Sequence, residues 1–132
     1  MPTLGVDWGA RRVGIAISVS DILATPRSVI PNEGDLAGAI IEIGEQEGVD
    51  RFVVGLPTVR AATSETRRIE ELIRELRQRS CKEVIVSDES YSTVEAESRR
   101  RSRGGSHRKK QHLDDEAAAV MLQAWLDEHG GR

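Results

Sequence analysis

The sequence predicts an α/β fold: a mixed five-stranded sheet, three antiparallel strands then two parallel ones, flanked by helices. Three observations carry this. Residues 4–18, "LGVDWGARRVGIAIS", read as two short apolar strands joined by a turn. Two later runs, "RFVVGLP" and "EVIVS", are continuously apolar, as strands covered on both faces are. Between and after these runs, apolar residues recur at helical spacing.

The elements follow in order. Residues 4–9 and 13–18 make a hairpin with Gly9-Ala10-Arg11-Arg12 at its turn. A third strand is expected near 24–30, after the loop around Asp21. Asp35 can cap a helix running to about Glu47, because Leu36, Ala39, Ile40 and Ile43 share one face and Gly48 suits the stop. "RFVVGLP" is the next strand, ended by Gly55 and Pro57. Thr63 or Ser64 can cap a helix with the stripe Ile69, Leu72, Ile73 and Leu76. Residues 83–87 form the last strand. Ser92 with Glu95 makes a capping box for a helix toward Arg101. A mobile basic loop is expected at about 102–111, before a final helix from Asp114 to about Glu128. Three leading strands suit an antiparallel meander, and the βαβαβ remainder suits parallel additions by right-handed crossovers.

Composition narrows the function. The 132 residues suit one domain, expected to span 1–132. Hydrophobic residues make up 38% and charged residues 31%, which fits a globular chain rather than a disordered one. Aromatics are only 3%, so the core is aliphatic and a base-stacking aromatic platform is disfavoured. The single cysteine, Cys81, excludes an intrachain disulfide and a thiolate metal cluster. No apolar run is long enough for a membrane span, and the opening residues show no signal-peptide pattern, so a cytoplasmic setting is expected. Charge is uneven. The net charge is −3, yet residues 99–110, "RRRSRGGSHRKK", hold seven Lys/Arg and no acid, which leaves the rest of the chain at −10.

Asp7 is the residue that needs explaining. It lies in an apolar strand between Val6 and Trp8, and burying an ionised carboxylate costs several kcal/mol unless it is compensated. Glu89 follows the last strand, and ligands in open α/β sheets bind outside the carboxyl ends of strands. Asp114 lies four residues before Ala118, on the stripe expected to pack on the sheet. These three acids can meet at one edge. Clustered carboxylates repel one another unless a cation sits among them, and Mg²⁺ or Mn²⁺ is the natural hard ion for oxygen ligands. Two such ions about 3.5–4 Å apart can drive phosphodiester hydrolysis. Arg99, Arg100, Arg101, Arg103, Arg108, Lys109 and Lys110 would then hold a polyanion beside an otherwise repulsive body, with Arg11 or Arg12 helping to steer the phosphate. Taken singly, each piece has a plainer reading: Asp7 as a turn-bonded strand end, Asp114 and Asp115 as helix-start acids, Glu89 as a loop residue, the basic run as a solvated loop.

Four blocks resemble the YqgF family, also called RuvX: "GVDWGARRVGIAIS", "VVGLP", "SDESYSTVEAE" and "KKQHLDDEAAAVMLQAWL". They cover nearly the whole chain, in order. The resemblance implies an RNase H-like fold, with Asp7, Glu89 and Asp114 as catalytic, metal-binding acids. It implies a metal-dependent endonuclease acting on structured nucleic acid, first in processing the 5′ end of pre-16S rRNA. The alternatives are Holliday junction resolution on branched DNA, a non-catalytic nucleic-acid-binding factor in ribosome assembly or transcription, and, more remotely, a phosphotransferase, since Asp-x-Gly is also similar to the phosphate-gripping turn of actin-like kinases. Three positions depart from the family pattern. Ser90 stands where Arg is usual. The loop after Pro57, "TVRAATSE", lacks an expected glycine, with Arg60 a possible substitute contact. The residue one turn after Asp114 is Ala117 rather than an acid, which leaves Asp115 or water as a fourth ligand.

Overall fold

The computed structural model describes residues 2–56, 63–88 and 110–129. Five strands, β1 (Thr3–Asp7), β2 (Arg12–Ser18), β3 (Thr25–Pro31), β4 (Arg51–Leu56) and β5 (Glu83–Asp88), form one sheet in the order β3-β2-β1-β4-β5. The β1–β2 and β2–β3 pairs are antiparallel, and β1–β4 and β4–β5 are parallel. This is the mixed sheet the sequence predicts. Strand β3 lies at the sheet's edge and contains Pro26 and Pro31, which a central strand would not tolerate. A register shift between Ile15 and Ala16 passes over Arg27, and Arg27 reaches out to Glu47 at 2.8 Å.

Helices α1 (Leu36–Glu47) and α2 (Thr63–Ser80) carry the two crossovers, and α3 is Lys110–His129. Both expected ends of α1 are present. The Asp35 carboxylate accepts a hydrogen bond from the Gly38 N–H at 3.2 Å, and Gly48 closes the helix in the left-handed region at φ 68°. One expected boundary is wrong. Asp114 does not open the last helix, which already runs from Lys110, so Lys110 and Gln111 are helical rather than part of a loop. No Gly or Pro stands between Gly105 and Asp114, so nothing forces the helix to wait for an acidic cap. The helix expected after Ser92 and most of the basic loop lie outside the described residues.

Each face of the sheet has its own core. On one, Leu4, Val6, Trp8, Val13, Ile15, Phe52 and Val54 pack against α1 and α2 through Ile40, Ile69, Leu72, Ile73 and Leu76. On the other, Ala16 and Val53 meet Ala118, Ala119, Met121, Leu122, Trp125 and Leu126 of α3. Burial of a side chain such as Phe52 or Leu122 contributes about 1.5–3 kcal/mol. Among the described residues no helix is long and apolar enough to cross a membrane.

Candidate nuclease site

Strand alternation fixes where Asp7 points. Leu4, Val6 and Trp8 enter the α1/α2 core, so Gly5 and Asp7 face α3. At Gly5 the helix comes so close that an added Cβ would lie 3.0 Å from the Leu122 Cβ, and glycine is what permits that approach. At the far end of the contact, Arg51, the register partner of Thr3, stacks on the Trp125 ring at 4.6 Å. The helix therefore runs opposite to β1: Trp125 is level with the strand's start and Leu122 with Gly5. Two residues further along β1 advance about 6.6 Å. At a helical rise of about 1.5 Å per residue this brings the level of Asp7 to Ala118, and the backbone of position 114 one turn further, past the strand end.

Asp7 itself is half-buried. Its register partners are Gly14 on β2 and Gly55 on β4, and Gly55 in turn pairs with Ser87 on β5. Gly14 and Gly55 lie on the α3 side of the sheet, since Val13, Ile15 and Val54 face the other way. The two residues directly opposite the carboxylate are thus both glycines, and Arg12, two residues from Gly14, shares its face. The three parallel strands end within one residue of the level of Asp7, and β5 ends at Asp88, the residue before Glu89. A carboxylate flanked by glycines at a strand end suits an oxygen-ligated cation and an approaching phosphate, and strand-end crevices are where α/β sheets bind ligands. Sequence reasoning missed Gly14 and Gly55. A glycine inside an apolar strand is the signal that could have found them.

The other expected residues divide by position. Arg11 is exposed in the β1–β2 turn, and its carbonyl accepts the Asn32 N–H at 2.9 Å. Asn32 Nδ2 also donates to the Gly9 carbonyl at 2.6 Å, so the turn beside Asp7 is tied to the end of β3. Arg12 is half-buried at the start of β2. Glu89, Arg60, Arg99, Arg100, Arg101, Arg103, Arg108 and Lys109 lie outside the described residues, as do the side chains of Lys110, Asp114 and Asp115. Among the described residues no three His, Cys, Asp or Glu side chains gather as a metal site.

A family model described as RuvX, Holliday junction resolvase, matches residues 1–128. The chain belongs to the RuvX family. Two RuvX-family relatives, each named "Putative pre-16S rRNA nuclease", come from Anaeromyxobacter sp. (strain K) and Maridesulfovibrio salexigens. The first is 40% identical over 141 residues, covering 96% of this chain and 97% of the relative. The second is 34% identical over 132 residues, covering 96% and 98%. The fold is similar to that of Thermus thermophilus RuvC, with TM-score 0.63 and 12% identity over 98% of this chain and 97% of that one. It is also similar to the Fowlpox virus resolvase solved with substrate Holliday junction DNA, with TM-score 0.62 and 14% identity over 97% and 98%. The RNase H-like architecture implied by the four sequence blocks is therefore the fold of this chain.

Proposed function

We propose that the chain is a metal-dependent endonuclease that hydrolyses phosphodiester bonds of structured nucleic acid, most directly in maturing the 5′ end of pre-16S rRNA. The observation that carries this reading is Asp7. It is a half-buried carboxylate between two glycines, at the edge where the parallel strands end and toward which the start of α3 runs. The names of the 34–40% identical relatives support the choice of substrate.

Asp7, Glu89 and Asp114, with Asp115 as a further donor, are the residues that would hold Mg²⁺ or Mn²⁺. Their carboxylates are hard oxygen donors of the kind those ions prefer. A bound divalent ion would supply activation of water and stabilisation of the departing oxygen. The protein supplies the rest. Asp7 is held at a rigid strand end, and the side-chain-free flanks at Gly14 and Gly55 leave room for a phosphate. Arg11, Arg12, Arg60 and the basic residues from Arg99 to Lys110 offset the substrate's charge against the acidic body. Phosphate contacts of that kind position a strand without choosing RNA over DNA.

The family's description keeps a second reading open, resolution of four-way DNA junctions. One assay separates them: a 5′-extended ribosomal RNA precursor and a four-way DNA junction, each incubated with the protein and Mg²⁺ or Mn²⁺. Cutting of the precursor with the junction spared is the expected result. The reverse pattern establishes the resolvase reading. Binding of both with cleavage of neither removes the enzyme in favour of a non-catalytic assembly factor.

A further inference from the structure

On the α1/α2 side of the same sheet edge lies a cavity of about 230 Å³. Trp8, the residue after Asp7, forms part of its wall, with Leu36 and Leu72 as further apolar lining. The Arg68 guanidinium lies 5.3 Å from the centre of the Trp8 ring. Arg68 is exposed, and among the described residues it makes no ion pair. The rest of the polar lining is Asn32 and four acids. Asp35 and Glu75 are taken up by Arg79, at 2.7 and 3.2 Å. Glu33 and Glu71 have no salt-bridge partner among the described residues.

Apolar side chains in part of the wall, a guanidinium over an indole and two carboxylates outside any ion pair together describe a ligand. A phosphate is excluded, because four carboxylates would face it. A planar, neutral group with hydrogen-bond donors on its edge fits instead. Nucleobases stack on arginine planes, and single-stranded recognition reads their unstacked edges. Guanine presents two adjacent donors, N1–H and the N2 amino group, which match the two oxygens of one carboxylate. Uracil offers a single N–H there. We infer that this cavity is a guanine-binding pocket, in which a base splayed from the substrate strand stacks on Arg68 over Trp8 and donates to Glu71, three residues along the same helix. The inference deepens the nuclease reading and rests on it for the source of the base. A pocket across the sheet from Asp7 would fix which nucleotide lies beside the scissile phosphate, a choice that contacts to phosphates cannot make.

The test uses nucleosides and needs no cleavage. In ¹⁵N-labelled full-length protein, the indole N–H signals of Trp8 and Trp125 report the pocket and the far end of the sheet separately. Guanosine is expected to shift Trp8 and leave Trp125 still, while uridine shifts neither. Inosine, which lacks the amino group, should bind on the order of tenfold more weakly, the worth of one charge-assisted hydrogen bond. Glu71→Gln should bring guanosine down to the level of inosine. Arg68→Lys, which keeps the charge and loses the plane, should weaken guanosine binding by a similar factor. A still Trp8 signal at millimolar guanosine, an equal response to uridine, or full binding by both variants would overturn the pocket. Asp7→Asn should bind guanosine like the parent. Guanosine binding with no cleavage of any substrate would therefore sink the nuclease reading and spare the pocket.

Discussion

Where β1 begins, buried polar groups are bonded to one another; where it ends, a carboxylate stands between two glycines. At the beginning, Thr3 and Ser18 are buried outright. Arg51 donates to the Thr3 hydroxyl at 2.8 Å, pairs with Asp21 at 3.3 Å and stacks on Trp125. The Ser18 hydroxyl accepts the Asp21 N–H at 3.1 Å, and Gln123 bonds the backbone of Ile22 and Ala24 at 2.8 and 2.9 Å. Two turns of α3 away, Asp7 has glycine on both sides. The same strand and helix build both ends. Bonded polar groups at one end hold the elements in register, and the other end carries the acid.

This contrast can be broken at either end. The largest effect is expected from Asp7→Asn. Losing the proposed ion ligand should lower cleavage by several kcal/mol of barrier, on the order of a thousandfold, with nucleic-acid binding kept. Without metal the variant should melt at least as high as the parent, because a repulsive carboxylate is gone. Arg51→Met should do the opposite. It removes the Arg51 bonds to Asp21 and Thr3 in a region where the ion-pair side chains are 15% and 18% exposed, and should lower stability by about 2 kcal/mol in urea unfolding. Cleavage per folded molecule should be unchanged. A fall in activity without a fall in stability would erase the distinction between the ends.

Gly55→Ala sharpens the comparison. A methyl in a strand interior raises stability by about 0.5–1 kcal/mol in general, yet here it would sit beside Asp7. Cleavage roughly tenfold lower at equal or higher melting temperature is the expected pair of results. The smallest effect concerns Asp35, across the sheet from Asp7 at the start of α1. Hydrogen bonds from Arg79, and then from the Gly38 N–H, hold its carboxyl at about 2, below the ordinary 3.8. A depressed carboxylate stabilises the fold above its unfolded value, and that stability is lost as pH falls through about 2. Asp35→Asn should flatten the melting profile between about pH 4 and 2. Because the Asp35 side chain is 62% exposed, added salt should shrink the difference.

Much of the fold was legible because its signals are local. Asp35 and Gly48 mark the ends of α1 through their own side chain and backbone, and the stripe from Ile69 to Leu76 shows the buried face of α2. The division into an antiparallel meander and parallel additions followed from run length and crossover handedness. The start of α3 was misread because an acid that can cap a helix need not open one. At the candidate site, Asp7 was legible as a charge in an apolar strand. Its surroundings were not, since they are made by pairing across distance. Gly5 meets Leu122, Gly55 pairs with Asp7, and Arg68 covers Trp8, and no local pattern links such partners.

The most direct test of the Asp7 site is titration of the ¹⁵N-labelled protein with Mn²⁺, reading paramagnetic broadening residue by residue. Broadening should concentrate on the amides of Asp7, Gly14, Gly55 and Ser87 and disappear in Asp7→Asn. Broadening centred elsewhere, or equally strong in the variant, would contradict a metal-holding role for Asp7.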